Sequence, residues 1–164
     1  MPKGQFSEHK RAIIGFDTTP ALNEKVWMDQ STGIIYNYDA SRSLWLSAAK
    51  HTFEFARKGA SDGMYLPLLG DLDSVDDVYT AGKAAVIISV YCRSKSGNND
   101  KSFELRKNGQ TIFNFSYDNA LNYTNNNLNY TITSTDEIQV YVSSSGSSIR
   151  NTLCRIETAW RYDV

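Results

Sequence analysis

The chain has 164 residues, a formal net charge of −1, 41% hydrophobic and 21% charged residues. That length suits one domain with room for a small accessory unit, and a globule of this mass buries roughly 69% of its unfolded surface. The near-neutral charge leaves no electrostatic footprint for nucleic acid or anionic lipid, and the ordinary composition excludes a highly charged disordered chain. Aromatic residues reach 12%, led by 10 Tyr, and Asn, Ser and Thr are abundant, a balance that favours β-structure.

The longest apolar run, Ala84 to Val90, is interrupted by Ser89 and falls far short of a membrane span. The start Met-Pro-Lys-Gly-Gln-Phe lacks the apolar middle of a signal peptide. Cys92 and Cys154 do not make a disulfide framework and read as two buried, reduced thiols on strand faces.

In chain order, residues 1–25 read as an extended arm. Lys3, His9, Lys10 and Arg11 surround Phe6, the apolar patch Ile13-Ile14-Gly15-Phe16 follows, and Thr18-Thr19-Pro20 disfavours helix. No alternating strand surrounds Phe6, Ile13, Ile14 or Phe16 to bury them within the chain, so they are candidate attachment residues.

Residues 26–47 read as a small three-stranded unit. Val26–Asp29, Ile34–Tyr38 and Ser43–Ser47 are strands, separated by turn chemistry at Gln30–Gly33 and Asp39–Arg42. A sheet this small needs an apolar face, and Trp27, Tyr36, Tyr38 and Trp45 are spaced to supply it as cross-strand aromatic pairs.

Residues 48–164 read as continuous β-structure. His51 to Arg57 alternates and stops at Gly59, and Pro67 demotes Met64–Gly70 to an edge or loop. Between Lys83 and Arg93, strict alternation puts Val86, Ile88, Val90 and Cys92 on one face and Ala85, Ile87, Ser89 and Tyr91 on the other. Asn108-Gly109, between Ser102–Lys107 and Gln110–Phe115, predicts a two-residue hairpin turn, because its twist needs positive φ at both positions. Asp118–Asn129 reads as a long loop. Tyr130–Thr133 and Ile138–Val142 read as strands, and Asn151–Tyr162 as a last strand with Cys154, Ile156, Trp160 and Tyr162 on one face. The fold class is therefore all-β: an arm, an aromatic module, and an antiparallel β-sandwich of jelly-roll type.

Chemistry-bearing patterns are sparse. There is no Gly-x-Ser-x-Gly, no phosphate loop, no paired Cys-x-x-Cys, and His9 and His51 are too few for the usual metal or acid–base sites. No cofactor or catalytic residue is expected. Asp71, Asp73, Asp76 and Asp77, with Asp62 nearby, read as a solvated turn before a calcium loop, since Val75 stands where a ligand would. Sequons at Asn114, Asn122 and Asn129 are what an Asn- and Thr-rich chain yields by chance. Tyr117, Asn119, Asn122, Tyr123 and Asn126 combine rings with amides, chemistry suited to a glycan or to a neighbouring subunit.

Two stretches carry a resemblance. Val26-Trp27-Met28-Asp29-Gln30-Ser31-Thr32-Gly33-Ile34-Ile35-Tyr36-Asn37-Tyr38-Asp39, running to Trp45, resembles a small module of tailed-bacteriophage fibre and appendage proteins. Phe103–Gly109 through Asp136–Val142 to the terminal strand is similar to trimeric jelly-roll domains of the tumour-necrosis-factor/complement type. Trp27, Asp29, Gly33, Tyr36, Tyr38 and Trp45 match the module pattern. The resemblance implies a non-enzymatic virion protein, made in the bacterial cytoplasm and docked on the major capsid protein or another virion protein by residues 1–25. It would serve as a head fibre or capsid decoration, with a glycan-binding tail-fibre tip as the alternative. Apolar side chains on both strand faces, such as Ile87 with Ile88 and Trp160 with Tyr162, exceed what one core uses and predict a homotrimer.

Overall fold

The computed structural model describes residues 14–15, 26–60, 63–68, 78–97, 101–117, 120–143 and 149–162. Phe6, Ile13, Phe16, the acidic segment 71–77, Asn119 and the bend at 144–148 lie outside them. The described residues form thirteen strands and no helix. These are β1 (Ile14–Gly15), β2 (Val26–Asp29), β3 (Ile34–Asp39), β4 (Leu44–Ala60), β5 (Met64–Leu66), β6 (Tyr79–Thr80) and β7 (Ala85–Arg93). They continue as β8 (Ser102–Lys107), β9 (Gln110–Ser116), β10 (Asn122–Asn125), β11 (Tyr130–Ile132), β12 (Glu137–Val142) and β13 (Ile149–Arg161).

One sheet runs β1-β2-β3-β4-β13-β7-β10, with β11 also on β7; the second runs β5-β12-β8-β9, with β6 also on β12. From β4 onward the chain passes repeatedly between the sheets, which is the jelly-roll way of closing a sandwich. Among the described residues, all strand pairings are antiparallel except β1 with β2, where Ile14 stands opposite Val26 at the outer edge of the larger sheet. Pro67 follows β5, the edge strand of the smaller sheet, where a missing N–H costs no ladder bond. The Asn-Gly turn is as expected: Asn108 and Gly109 have φ of 51° and 75°. One strand, β10, occupies part of the stretch expected to be a loop.

Between the sheets lies a core of Phe53, Phe55, Val90, Cys92, Cys154 and Ile156 from one side and Phe103, Leu105, Phe115, Ile138, Val140 and Val142 from the other. The faces of β7 differ from strict alternation. Glu157 stands opposite Ser89 but Thr158 stands opposite Ile87, so Ile88 is an extra residue, a β-bulge. The bulge shifts the parity of the strand. Ala85 and Ile87 join Val90 and Cys92 in the core, while Val86 and Ile88 turn to the outer face beside Leu46 and Ala159.

Strand β4 runs unbroken from Leu44 to Ala60, so it crosses both the expected stop at Gly59 and the boundary drawn between 47 and 48. Opposite it, Ala159 pairs with Lys50 but Arg161 with Leu46, which leaves surplus residues on β4 around Ser47–Ala49. The Ser47 hydroxyl fills the gap by accepting the Trp160 N–H at 2.9 Å and donating to the Ala49 carbonyl at 2.5 Å.

The apolar surplus behind the expected trimer is consumed within the chain. Ile88 is 6% exposed on its outer face, Trp160 packs on the main core, and Tyr162 belongs to a separate aromatic cluster. Ile35 is the one large hydrophobic residue that is exposed among those described.

Cys92 and Cys154 stand directly opposite each other on neighbouring strands, both free and fully buried. Burial, reinforced by the Cys92 neighbour, pushes the Cys154 thiol well above its ordinary range, so neither the exposure nor the thiolate needed for reaction is present. Both thiols should therefore resist a polar disulfide reagent in the native protein and react at the rate of unfolding. Rapid native labelling would contradict this packing. Phe55→Ala, in the centre of the same core, should cost about 3–5 kcal/mol in denaturant titrations.

Candidate functional site

The module of residues 26–47 builds its aromatic face as the spacing predicts. Trp27 stands opposite Tyr36 and Tyr38 opposite Trp45, with ring centroids 5.4 Å apart in both pairs. The sequence alone does not reveal the piece that closes this face. Tyr162, just past the end of β13, brings its ring to 4.4 Å from Trp27 and 5.7 Å from Tyr36. It is held there by its N–H, which donates to the Trp45 carbonyl at 3.0 Å. Alternation assigns Tyr162 to the face of Trp160, whereas its ring joins Trp27 and Tyr36 in a cluster separate from the core on which Trp160 packs.

Two hairpin loops of the same design join the strands. In the first, the Asp29 carboxylate accepts the Ser31 N–H at 3.0 Å and hydroxyl at 2.7 Å, and the Thr32 hydroxyl at 2.6 Å. Gly33 closes the loop at φ 70°, donating its N–H to the Asp29 carbonyl at 2.7 Å. In the second, Asp39 accepts the Ser41 N–H at 3.0 Å, the Ser41 hydroxyl at 2.6 Å and the Arg42 N–H at 3.1 Å. Here Ser43 takes the left-handed position, at φ 54°. The resemblance pattern Asp-x-x-Thr-Gly thus has a mechanical content: the carboxylate organises the turn and glycine supplies the backbone angle. Hydrogen bonds from Thr32 and Ser31 hold the Asp29 carboxyl below its usual range. For Asp39, partial burial acts upward, but the bonds from Ser41 and Arg42 outweigh it and the net shift is also downward.

Arg42 carries the second hairpin across the molecule. Its guanidinium pairs with Asp39 at 2.5 Å, and its Nε donates to the carbonyl of Leu128 at 2.8 Å, in the connection between β10 and β11. Leu128 in turn donates its N–H to the carbonyl of the bulged Ile88 at 3.1 Å. Residues of this hairpin, together with β7, β13 and the β10–β11 connection, line a groove of about 680 Å³. Its lining includes Asn37, Tyr38, Ser89 and Asn126 together with the buried Leu46, Ile88 and Ala159. Lys50 and Glu157, paired at 3.3 Å, also line it.

The residues expected to meet a glycan or a neighbour separate into two groups. Tyr117 is a core residue, 6% exposed, with its ring 4.8 Å from Phe103. Its hydroxyl lies 2.6 Å from that of Ser94, which continues to Thr152 at 2.8 Å. Burial and the Cys92 thiol beside it push its phenol far above the ordinary range, so it is unavailable to a ligand. Tyr123 is half-buried and stacks on Phe115 at 5.1 Å. Asn122 pairs with Arg93 in the β10–β7 ladder. Among the described residues of this group, Asn126 lines the groove. Among the described residues, no three His, Cys, Asp or Glu side chains are grouped to hold a metal ion.

No family profile and no curated protein matches this chain. Among solved structures, it is similar to a protein of Bacillus endospore appendages, described as disulfide-linked pili, at 8% identity and TM-score 0.35, covering 68% of this chain and 85% of that one. It is also similar to dimeric latent PorU from Porphyromonas gingivalis at 15% identity and TM-score 0.27, covering 68% of this chain and 13% of that one. Likeness at this level identifies neither a relative nor an activity.

Tyr162→Ala should open the aromatic face, lower stability by about 2–3 kcal/mol and shift tryptophan emission to the red. Gly33→Ala should cost about 1–2 kcal/mol because alanine resists the left-handed angle, and Ser43→Gly should raise the melting temperature. Asp29→Asn and Asp39→Asn should lower the melting temperature at neutral pH. The carboxyl pKa values are depressed in the folded state, so their stabilisation is present above the ordinary 3.8 and fades as pH falls through the lower folded values. The gap between wild type and variants should therefore close in acid, as thermal melts at pH 7 and in strong acid will show.

Proposed function

We propose that this chain is a structural, non-enzymatic component of a tailed-bacteriophage particle, mounted on the capsid as a head fibre or decoration protein through its N-terminal segment. The observation that carries this reading is the continuity of β4, which joins the appendage-like aromatic module to the jelly-roll head without a linker. Such a unit transmits position rigidly: whatever the N-terminal side grips, the head follows. The edge location of β1 supports the same reading, because Ile14–Gly15 enters the sheet outside the sandwich, on the far side of the module. Trimerisation belongs to this proposal through the jelly-roll resemblance, the excess-apolar argument having been absorbed by the fold.

Attachment through short apolar segments is weak for one copy. Each buried Ile or Phe contributes about 1.5–3 kcal/mol, and ordering the backbone opposes this by about 1–2 kcal/mol per residue. Three linked copies convert such contacts into stable attachment when the sites are spaced to match. Deleting residues 1–20 should leave a folded trimer by light scattering that no longer co-sediments with particles of the phage encoding it. Full occupancy by the truncated chain, or a monomer mass for the full-length chain at micromolar concentration, would overturn the proposal.

A further inference from the structure

We propose that Cys92 and Cys154 are a latent cross-strand disulfide, closed when the chain folds in an oxidising medium, left open when it folds in a reducing one, and insulated in either state by the finished fold. The pair lies on central strands of the larger sheet, and its chemistry is independent of what the chain attaches to.

The register places the two thiols together. Cys154 stands directly opposite Cys92, and the ladder is regular on both sides, with Leu153 opposite Arg93 and Arg155 opposite Tyr91. Residues facing each other across an antiparallel pair have Cα atoms about 4.5 or about 5.5 Å apart, according to their hydrogen-bonding position. Both spacings lie inside the disulfide window of about 4.4–6.8 Å. Both side chains belong to the same core, and the Cys92 thiol is the hydrogen-bonding neighbour of the Cys154 thiol. A bond is therefore within reach of side-chain rotation, without movement of either strand. The surroundings tolerate it. Cys92 also meets the Tyr117 hydroxyl at 3.6 Å, but that hydroxyl keeps its shorter contact with Ser94, at 2.6 Å, when the sulfur turns away. Closing the bond makes a covalent ring that contains β8, β9, β10, β11 and β12. Three strands of the smaller sheet, β12, β8 and β9, are then tied to the middle of the larger one, and the unfolded chain loses freedom.

Glutathione disulfide is a sufficient oxidant. One cysteine thiolate of the open chain attacks a glutathione sulfur, forms a mixed disulfide and releases one glutathione. The second cysteine thiolate attacks the protein sulfur of that intermediate, forms the Cys92–Cys154 bond and expels the second glutathione. The two protein thiols lose two electrons and two protons, and the oxidant takes up both as it becomes two thiols. Neither step suits the folded chain. Both cysteines are fully buried, burial keeps the Cys154 thiol protonated, and a tripeptide adduct would have to enter the close-packed space between the sheets. The same packing bars reduced glutathione from a closed bond, so the state set during folding is retained.

Two cysteines that serve only as small core fillers would behave otherwise, and refolding separates the cases. The full chain is refolded from denaturant in reduced glutathione alone or in a mixture of reduced and oxidised glutathione. The mixture should give a monomer-length chain lighter by about 2 Da, with the bond mapped to Cys92–Cys154 by peptide analysis. Its melting temperature should be higher by about 5–15 °C than that of the reduced chain. Chain folded reduced and then moved to the mixture should form the bond only at the rate of unfolding. Cys154→Ala should melt alike from both media. Synthesis of the full chain in an ordinary bacterial cytoplasm and in one stripped of its thiol reductases gives the same comparison without refolding. Free thiols, glutathione adducts or intermolecular bridges after folding in oxidising conditions would overturn the proposal, as would a bond that lowers the melting temperature. A folded reduced chain that oxidises as fast as an unfolded one would overturn the insulation.

Discussion

From Ile149 opposite Ala60 to Arg161 opposite Leu46, β13 and β4 share one antiparallel ladder, and both the sandwich core and the aromatic module hang from it. At its start the ladder contributes Phe55, Cys154 and Ile156 to the space between the sheets. At its end it delivers Trp45 and Tyr162 to the module. A ladder this long cannot stay regular, because twist accumulates along it and must be relieved. The relief comes at Ser47–Ala49, where the surplus residues on β4 are accommodated and the Ser47 hydroxyl replaces the missing backbone partner of Trp160. The irregularity lies between the sandwich part of the ladder and the module part.

Much of this architecture is legible in the sequence where a residue type has few conformational options. Asn108-Gly109 fixes its hairpin because few pairs tolerate positive φ twice. Pro67 marks an edge because it lacks a donor. Trp27, Tyr36, Tyr38 and Trp45 pair as their spacing requires, and the all-β character follows from composition and alternation. The failures share a cause, which is that a period-two pattern carries no record of an inserted residue. Ile88 is as apolar as its neighbours, so the bulge in β7 is invisible until the partner strand shows the register slip. Tyr117 and Tyr123 stand among asparagines that suggest a surface loop, but Tyr117 packs on Phe103 in the core and β10, paired with β7, brings Tyr123 against Phe115. Tyr162 escaped because its partners lie more than a hundred residues earlier in the chain. The groove likewise needs residues from four strands and two connections, none of which forms a local pattern.

Short polar side chains do structural work at several turns. Asn108, beyond shaping its own hairpin, donates from Nδ2 to Asp136 at 2.7 Å and accepts the Glu137 N–H at 2.8 Å. Asp136 also accepts the Thr133 N–H at 2.8 Å, and these bonds hold its carboxyl below the usual range. The turn between β8 and β9 is thereby stitched to the turn before β12, much as Asp29 and Asp39 organise the module. A chain rich in Asn, Ser and Thr uses them to satisfy backbone groups that would otherwise need water at the ends of strands.

The placement of Tyr162 decides how the molecule answers a mechanical load. A pull entering from the amino-terminal side meets β1, β2 and β3 in turn, each bonded to its neighbour sideways, a geometry that yields by peeling one strand at a time. The last ring of the chain lies across Trp27 and Tyr36, so the terminus opposite to the pull clasps the strands that would peel first. Tyr162 thus acts on β2 and β3 through a few aromatic contacts. Losing Tyr162 would be felt at Trp27 and Tyr36, while the sandwich core beyond Lys50 keeps its ladder.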